Sequence, residues 1–539
     1  PWRHRGVAYW EDGDIARIFW GTGDGFLIGL DARTGLPAEG FGNEGRVDLM
    51  DGLPRATRGE LDVLNLLPIS SQSPPMVVGD TVVIGSSIND RALLKEAPPG
   101  WVRAYDVRTG QHKWDFHTVP QSPDELGADT WLNDSWRYSG NTNVWSLMSG
   151  DDELGFAYLP IGTATNDYYG GHRLGNNLFA ESLVAVDAET GQRQWHFQMV
   201  HHGLWDYDLP AAPNLLDITV GGRQVKAVAQ VSKQGFTYVF DRVTGEPVWP
   251  IEERPAPQGH VPGEWYSPTQ PHPTKPAAYE MQNVSVDELI DFTPELRAEA
   301  TEILERYEYG PLFTPPLHRG NDLDKRAAIH CPGSNGGTNI MGGASVDPET
   351  AILYVASTKA CSAPMLTPGL AADAEDPNPI GRTVSEWVAG PGGVRGPQGL
   401  PLFKPPYARI TAIDLNSGET LWWIPNGDTP DRFKNHPALE GVDIGNTGAP
   451  THPTHVSTKS LLIYGEGRGG GSVLHAHDKT TGARIGTVNI PAPTNTAVMT
   501  FMHEGVQYIV APIGGRAGGR GGGSGGQHPG AFAALRLPD

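Results

Sequence analysis

The sequence predicts an all-β protein built as a β-propeller, because one short phrase recurs along its 539 residues. The phrase is Asp, two variable residues, Thr or Ser, and Gly, and in most copies a Trp stands eight positions after the Asp. The copies with a Trp begin at Asp106, Asp187, Asp241 and Asp414, and their tryptophans are Trp114, Trp195, Trp249 and Trp422. Two further copies, at Asp31 and Asp478, lack the Trp.

Each copy follows a run that alternates or is apolar, such as residues 182–186, so each predicts a strand, a tight turn and a second strand. Because a single antiparallel unit of this kind cannot bury its faces, such units pack together into one large domain. The chain length alone would suggest three or four domains. Radially stacked blades, with the recurring Trp between adjacent sheets, satisfy this pattern. A pair of β-sandwiches would not require the same Asp and Trp in every unit.

Composition excludes some partners and supports a turn-rich fold. The chain has 69 Gly and 47 Pro, and its net charge is −22. Because phosphate binding depends on lysine and arginine, we expect no nucleic-acid partner and no anionic membrane surface. No apolar run of 18 residues occurs, so no membrane span is expected. The chain opens in what reads as the middle of a repeat unit, and we expect an exported protein whose leader lies outside this sequence.

One segment departs from the strand pattern. Thr293, followed by Pro and Glu, precedes apolar residues at helical spacing. This predicts a short amphipathic helix inserted at about 290–308. The helix has two possible roles: to cover a binding face or to pack on the solvent side of the fold.

The two cysteines, Cys331 and Cys361, are thirty residues apart. From their number and spacing they are a disulfide, two free thiols or part of a metal site. No Cys-x-x-Cys-His occurs, so the chain carries no covalently attached c-type haem. Dinucleotide, Walker and His-Glu-x-x-His signatures are also absent. Any electrons that the protein extracts must therefore pass to a separate acceptor.

Polar and aromatic residues are densest in segment 201–213, which contains His201, His202, Asp206 and Asp208. Two carboxylates two residues apart, beside imidazoles and an indole, can bind a metal or supply a base. Composition alone leaves a surface loop with satisfied polar groups equally open. Lys233 follows 27 residues after Asp206, at the predicted start of a strand.

In this segment and in its repeats, the sequence resembles the quinoprotein dehydrogenases, eight-bladed propellers that use pyrroloquinoline quinone (PQQ). It is most similar to the branch that contains the catalytic domain of membrane-bound glucose dehydrogenase. The repeated phrase matches the family's tryptophan docking motif, and His-His-x-Leu-Trp-Asp-x-Asp-Leu-Pro-Ala is typical of that branch. The resemblance covers essentially the whole chain and implies one PQQ-binding eight-bladed β-propeller domain, residues 1–539.

The resemblance also implies a set of site residues. Asp206 matches the catalytic aspartate, and Lys233 matches the basic residue that contacts the quinone oxygens. The implied cofactor-binding residues are Arg5, Ser87, Asn143, Trp145, Lys233 and Asn339, with Trp145 under the quinone ring and Arg5 on a carboxylate. Asp90 matches the acidic metal ligand. Thr163 stands where many relatives have an asparagine ligand, so Asn166 or water is left open as a substitute. Cys331 and Cys361 match a family disulfide.

The expected function is that of a PQQ- and divalent-metal-dependent dehydrogenase. It would oxidise a hydroxyl group of an alcohol, polyol, sugar or cyclic secondary alcohol to a carbonyl. Electrons would pass to an external acceptor, cytochrome c or ubiquinone, in the periplasm. Calcium is the expected metal, with magnesium or a lanthanide as alternatives, since Asp208 matches an extra ligand of lanthanide-using methanol dehydrogenases. The competing hypothesis is a non-catalytic β-propeller that serves as a binding scaffold.

Overall fold

The computed structural model of the chain describes residues 5–59, 68–88, 94–369, 385–390, 392–515 and 528–536, which form mostly strands and few helices. The strands are β1 (Ala8–Asp12), β2 (Ile15–Gly21), β3 (Phe26–Asp31), β4 (Arg46–Asp48), β5 (Ile69–Ser70), β6 (Met76–Val78), β7 (Thr81–Ile84), β8 (Ser87–Ile88), β9 (Val102–Asp106), β10 (His112–Phe116), β11 (Ser149–Asp151), β12 (Phe156–Pro160), β13 (Ser182–Asp187), β14 (Arg193–Gln198), β15 (Asn214–Val220), β16 (Arg223–Val231), β17 (Thr237–Asp241), β18 (Ile251–Pro255), β19 (Thr269–Pro273), β20 (Leu317–His318), β21 (Ala344–Asp347), β22 (Ile352–Thr358), β23 (Met365–Pro368), β24 (Trp387–Ala389), β25 (Ala408–Asp414), β26 (Glu419–Pro425), β27 (Thr454–Ser457), β28 (Leu461–Gly465), β29 (Val473–Asp478), β30 (Arg484–Asn489), β31 (Met499–His503), β32 (Val506–Gly515) and β33 (His528–Arg536). The helices are α1 (Pro294–Leu304) and α2 (Asp431–Lys434), with short 3₁₀ turns at Ala128–Thr130, Leu132–Arg137, Val286–Glu288, Pro397–Gly399 and Pro437–Leu439. No helix in these ranges is long and apolar enough to cross a membrane.

The described ranges hold eight sheets of three or four strands. One of them, β20-β23-β24, pairs β20 with β23 in parallel and has β21 and β22 between these strands in the sequence. The other seven follow one another along the chain. Their strand orders are β1-β2-β3-β4, β10-β9-β7-β6, β11-β12-β13-β14, β15-β16-β17, β21-β22-β25-β26, β27-β28-β29-β30 and β31-β32-β33. The first strand of each sheet contacts the first strand of the next, from β1 through β6, β11, β15, β21 and β27 to β31. This succession of inner strands is the arrangement of propeller blades. The described ranges thus hold seven blade-like sheets, and an eighth blade stays a prediction.

The apolar core lies between successive sheets. The layer between the first two sheets joins Phe19 and Phe41 to Val82 and Tyr105. Similar layers lie between each later sheet and its successor, up to the seventh. Each sheet therefore depends on its neighbours to bury its faces, as in other repeat architectures.

The recurring Asp closes the turn that follows its strand. Asp187 Oδ1 accepts hydrogen bonds from the Thr190 amide and hydroxyl, both at 2.8 Å. Corresponding side-chain bonds occur at Asp31, Asp106, Asp241, Asp414 and Asp478. Hairpins β9–β10, β13–β14, β25–β26 and β29–β30 are joined by such turns, which confirms the hairpin interpretation for these copies.

Each recurring Trp lies against the Gly of the next copy of the phrase. Trp114 Nε1 donates to the Ala188 carbonyl at 2.9 Å, and a Cβ added to Gly191 would lie 2.5 Å from the Trp114 ring. The equivalent pairs are Trp195 with Gly245, Trp249 with Gly418, and Trp422 with Gly482. In the first unit, which lacks the Trp, Phe41 lies against Gly110.

Substitution of Gly191 with Ala tests this contact against its matched control, Gly35→Ala. Both glycines occupy the same turn position, with φ of +72° and +70°, but a Cβ on Gly35 would meet nothing within 4 Å. We expect Gly35→Ala to cost about 1 kcal/mol, for the left-handed backbone alone. Gly191→Ala should cost about 1–3 kcal/mol more, because the new methyl displaces the indole. Urea unfolding measures both, and equal losses would show that the Trp contact carries no stability.

The inserted helix α1 lies within the predicted range 290–308. The Thr293 hydroxyl accepts a hydrogen bond from the Leu296 amide at 3.2 Å and caps the helix. Leu296, Ala300 and Leu304 are buried in an apolar cluster that also contains Phe403. The cap and the apolar spacing therefore account for both the start of the helix and its buried face.

A disulfide joins Cys331 to Cys361, as the resemblance implied. The bond closes a loop across a sequence separation of 30 residues. By chain entropy, the variant Cys331→Ala/Cys361→Ala should lose roughly 3 to 4 kcal/mol of unfolding free energy. Thiol titration of the denatured, unreduced protein should detect no free thiol, and detection of two would contradict the bridge.

Candidate active site

The predicted site residues that lie within the described ranges are found at one edge of the sheets. In an antiparallel blade, the connection into the first strand and the connection between the second and third strands emerge at the same edge. Residues before a first strand are Arg5, Asn143, Trp145, Asp206 and Asn339, and residues between a second and a third strand are Ser87, Thr163 and Lys233. The repeated Asp turns follow third strands and emerge at the opposite edge. Topology alone thus separates the structural turns from the candidate site.

Lys233 bridges the two aspartates of segment 201–213. Its Nζ donates to Asp206 Oδ1 at 2.6 Å and to Asp208 Oδ2 at 2.7 Å, and its side chain is 5% exposed. Tyr207, between the aspartates, is buried, and its hydroxyl donates to the Pro332 carbonyl at 2.7 Å. The segment therefore anchors an aromatic ring in the core and directs both carboxylates to one ammonium.

Burial and mutual charge separate the pKa values of these three groups. Burial opposes the charge on Lys233, but Asp206 and Asp208 outweigh it and raise the lysine pKa. Burial also opposes ionisation of Asp208, yet Lys233 lowers the pKa of that carboxyl to about 2. The pKa of Asp206 is raised by burial and by the Asp208 and Asp167 carboxylates, against the effect of Lys233. Asp208 is thus the carboxylate that balances the Lys233 ammonium. Asp206 is a carboxyl group that exchanges its proton at higher pH.

The prediction that Lys233 begins a strand is wrong. Lys233 lies in a turn between β16 and β17. Ser232 closes this turn, because its amide donates to the Phe236 carbonyl at 3.1 Å and its carbonyl accepts from the Gly235 amide at 3.2 Å. Gly235, two residues before β17 begins at Thr237, has φ of +82°, a left-handed conformation that glycine adopts readily. The lysine therefore projects from a hydrogen-bonded turn.

Trp145 is half-buried and has two cations close to its ring. Lys233 Nζ is 5.5 Å, and the Arg5 guanidinium carbon 5.6 Å, from the ring centroid. Arg5 also donates to the Ser73 hydroxyl at 3.3 Å, and Ser73 donates to the Trp145 carbonyl at 2.5 Å. Ser87 and Trp145 line the same small cleft with Ser71, Ser73 and Ser86. An aromatic platform with cations and hydroxyl groups fits a planar, anionic cofactor such as PQQ.

Oxygen donors collect around Thr163. The Thr163 amide and hydroxyl both contact Asp208 Oδ1, at 2.6 and 3.0 Å, and the hydroxyl lies 3.2 Å from Glu181 Oε1. Glu181 Oε2, Thr165 Oγ1 and Asn166 Oδ1 are buried and have no hydrogen-bond partner within the described residues. Burial, and then the Asp208 carboxylate, raise the pKa of Glu181 to about 8. Buried oxygens without partners are the donor type that suits a hard divalent cation.

The described ranges contain no group of three or more His, Cys, Asp or Glu side chains placed to hold a metal ion. The predicted acidic ligand, Asp90, lies outside these ranges. The metal site therefore stays a prediction.

The two predicted asparagines are both buried and have different neighbours. Asn143 Nδ2 donates to the Ser86 carbonyl at 2.7 Å, which ties the chain before Trp145 to the serine-lined cleft. Asn339 Oδ1 accepts from the Ile340 amide at 2.8 Å, and Thr338 joins the Lys233 turn through Ser232 at 3.2 Å. Asn143 thus belongs to the Trp145 side of the site, and Asn339 lies beside the Lys233 turn.

Several buried charged residues near the site were not predicted, because no sequence pattern distinguishes them from surface residues. Arg173 and Glu181 are fully buried, and Asp167 is 8% exposed. His202, from segment 201–213, does not face Lys233 but pairs with Glu264 at 3.0 Å. Burial lowers the pKa of His202.

The fold and the site define a propeller-type protein with a buried lysine–carboxylate group beside an indole. The family model of PQQ glucose/ethanol/alcohol dehydrogenases, β-propeller domain, matches residues 1–509. The chain belongs to this family of quinoprotein dehydrogenases, which are oxidoreductases.

Similar proteins span several polyhydroxy substrates. The glycerol dehydrogenase large subunit of Gluconobacter oxydans (strain 621H) is 32% identical over 95% of this chain and 69% of that protein. Quinoprotein glucose dehydrogenase A of Acinetobacter calcoaceticus is 30% identical over 93% of this chain. Quinate/shikimate dehydrogenase (quinone) of Acinetobacter baylyi (strain ATCC 33305 / BD413 / ADP1) has the same identity and coverage of this chain. The match spans 61% of the length of each of the latter two proteins.

Solved structures of the same fold include two alcohol dehydrogenases. Quinohemoprotein alcohol dehydrogenase from Comamonas testosteroni superposes with a TM-score of 0.63 at 20% identity, over 99% of this chain and 66% of that one. Europium-containing methanol dehydrogenase superposes with a TM-score of 0.62 at 21% identity, over 95% of this chain and 73% of that one. At these identities the superpositions establish the fold alone.

Proposed function

We propose that the chain oxidises a hydroxyl group of an alcohol, polyol, sugar or cyclic secondary alcohol to a carbonyl, with PQQ and a divalent cation bound. The observation that carries this proposal is the contact of Lys233 with both Asp206 and Asp208, within 5.5 Å of the Trp145 ring. The relatives named for glycerol, glucose and quinate or shikimate favour a substrate with several hydroxyl groups. A binding scaffold would not need two acids buried against one lysine.

In this proposal each side chain has one task. Asp206, as a carboxylate, accepts the proton of the substrate hydroxyl. Lys233 carries a fixed positive charge, which stabilises negative charge that develops beside it. Trp145 and Arg5 bind and orient the ring and a carboxylate of the cofactor. When bound, PQQ supplies the two-electron acceptor that the side chains lack.

For the metal, we propose calcium, with Asp90 and Thr163 as ligands and with Asn166 and Glu181 as further oxygen donors. Calcium accepts six to eight oxygen ligands in flexible geometry, which suits a mixed set of hydroxyl, amide and carboxylate groups. Asp208 could serve as a further ligand for a more highly charged ion such as a lanthanide. The ion pair with Lys233, however, already neutralises the Asp208 carboxylate.

We also propose that residues 1–539 act as one PQQ-binding eight-bladed domain, with the Trp–Gly contacts as its docking motifs. Electrons leave to an external acceptor, cytochrome c or ubiquinone. The Cys331–Cys361 disulfide supports an oxidising compartment, the periplasm.

The substrate class is tested by reconstitution of the purified chain with PQQ and calcium, followed by dye reduction with a panel of alcohols. The panel includes glycerol, glucose, quinate, cyclohexanol and ethanol. We expect the polyhydroxy compounds to give higher kcat/KM than ethanol. The reverse order would contradict the polyol assignment but leave the dehydrogenase assignment intact.

The pH profile reports the proton-accepting group. A base must be ionised, so activity is full above its pKa and is lost as the pH falls through it. Asp167→Asn removes a carboxylate that raises the pKa of Asp206, so the acid limb of kcat/KM should move to lower pH. Asp217→Asn, at an exposed partner of Arg242, is the control and should leave the limb in place. An unchanged limb in Asp167→Asn would contradict Asp206 as the base.

A further inference from the structure

Arg173 is a fully buried cation behind the candidate site, and its guanidinium joins three separate segments. Nε donates to the Thr165 carbonyl at 2.8 Å, and Nη2 donates to the carbonyls of Asn166 and Gly203 at 2.9 and 2.7 Å. Nη1 donates to Asn177 Oδ1 at 2.7 Å. Four bonds thus radiate from one planar group, a pattern that a lysine ammonium cannot reproduce.

Two of the three segments that Arg173 joins are the two sides of the site. Thr165 and Asn166 follow Thr163 in the loop with the unpartnered oxygens, and Gly203 stands three residues before Asp206. The loop is held by its backbone carbonyls, which leaves Thr165 Oγ1 and Asn166 Oδ1 without partners within the described residues.

Acidic residues surround Arg173, and one of them adds a second attachment. Burial lowers the pKa of the Arg173 guanidinium, and the charges of Glu264, Glu181 and Asp167 oppose that shift. Glu264 accepts from the Gly170 amide at 2.6 Å, close before Arg173 in the chain, and pairs with His202, which precedes Gly203. The segment that carries Gly170 and Arg173 is therefore joined twice to His202 and Gly203, through Arg173 itself and through Glu264.

We infer that Arg173 is a positioning residue: it fixes the oxygen-bearing loop 163–166 relative to the Asp206 segment and so sets the affinity of the site for its cation and for PQQ. This inference rests on the proposed function. Residues that orient metal ligands from behind typically alter metal affinity 10- to 100-fold when they are replaced.

The test compares Arg173→Lys with Arg242→Lys in the full chain. Arg242 is also buried and bonds Asp151 and Asp217 at 2.7 Å, but it lies in a repeated turn at the opposite edge. For each protein, calcium is titrated at fixed PQQ, and the quench of tryptophan fluorescence gives the half-saturating calcium concentration. Circular dichroism and thermal unfolding monitor the fold.

We expect both variants to unfold at lower temperature, while only Arg173→Lys raises the half-saturating calcium concentration, by about 10-fold or more.

A second variant, Asn177→Gly, is measured if Arg173→Lys does not fold. It removes one guanidinium acceptor at a position with φ of +56°, which Gly tolerates, and should shift the titration in the same direction. Equal half-saturating calcium concentrations in Arg173→Lys and Arg242→Lys overturn the inference. Where Asn177→Gly is measured in place of Arg173→Lys, an unchanged half-saturating calcium concentration overturns it as well. Failure of the wild-type chain to bind PQQ with any cation overturns the proposed function, and the inference with it.

Discussion

Replacement of Asp206 with Asn should lower turnover about 10²-fold or more, because the amide keeps the shape of the side chain but cannot accept a proton. Asp206 lies 2.6 Å from Lys233 Nζ, and an Asn oxygen can keep that hydrogen bond. We therefore expect the variant to remain folded and to bind PQQ, as measured by tryptophan quenching. Steady-state dye reduction with the best substrate of the panel measures the loss.

Asp217→Asn provides the matched control. Asp217 also pairs with a cation, Arg242, but lies on the surface, and its variant should retain full turnover. Full turnover in Asp206→Asn would remove Asp206 from the mechanism and leave Asp208 or Asp167 as the base.

Replacement of Lys233 with Met should produce the largest loss of stability, about 3–5 kcal/mol, because it leaves buried carboxylates without their cation. The loss should be greater at pH 7 than at pH 5. Without Lys233, the pKa of Asp208 rises from about 2, so the variant's folded state takes up a proton as the pH falls and recovers part of its stability. Urea unfolding at the two pH values measures both effects.

Two variants separate this effect from loss of a surface charge. Lys226→Met breaks an exposed pair with Glu153 and should cost less than about 1 kcal/mol. Lys233→Met/Asp208→Asn removes one of the stranded charges and should regain part of the lost stability. Equal stability of Lys233→Met and Lys226→Met would contradict the central role of the lysine–carboxylate group.

The repeated turn and its hairpin could be predicted because their causes are local. The phrase beginning at Asp187 contains the side chain that closes its own turn, and Trp195 stands at a fixed distance from it. Such short-range contacts are visible as a pattern in the sequence. The number of blades is a property of ring closure between distant segments, so it does not follow from one repeat.

The candidate site could be predicted only where a motif or a resemblance marks it. Asp206, Lys233 and Trp145 come together because each lies in a connection at the same edge of the sheets; their roles stay predictions. The turn that holds Lys233 was missed because the hydrogen bonds of Ser232 with Gly235 and Phe236 delay the next strand to Thr237. Arg173 and Glu181 were missed because burial of a charge depends on tertiary contacts.

The proposal that the chain is a PQQ-dependent dehydrogenase is tested most directly by calorimetry. The chain is purified from a host that makes no PQQ and is titrated with PQQ in the presence of calcium. We expect stoichiometric binding that quenches tryptophan fluorescence, requires the cation and enables dye reduction with an alcohol, whereas NAD has no effect. Absence of PQQ binding with calcium, magnesium or a lanthanide would contradict the dehydrogenase assignment and favour a binding scaffold.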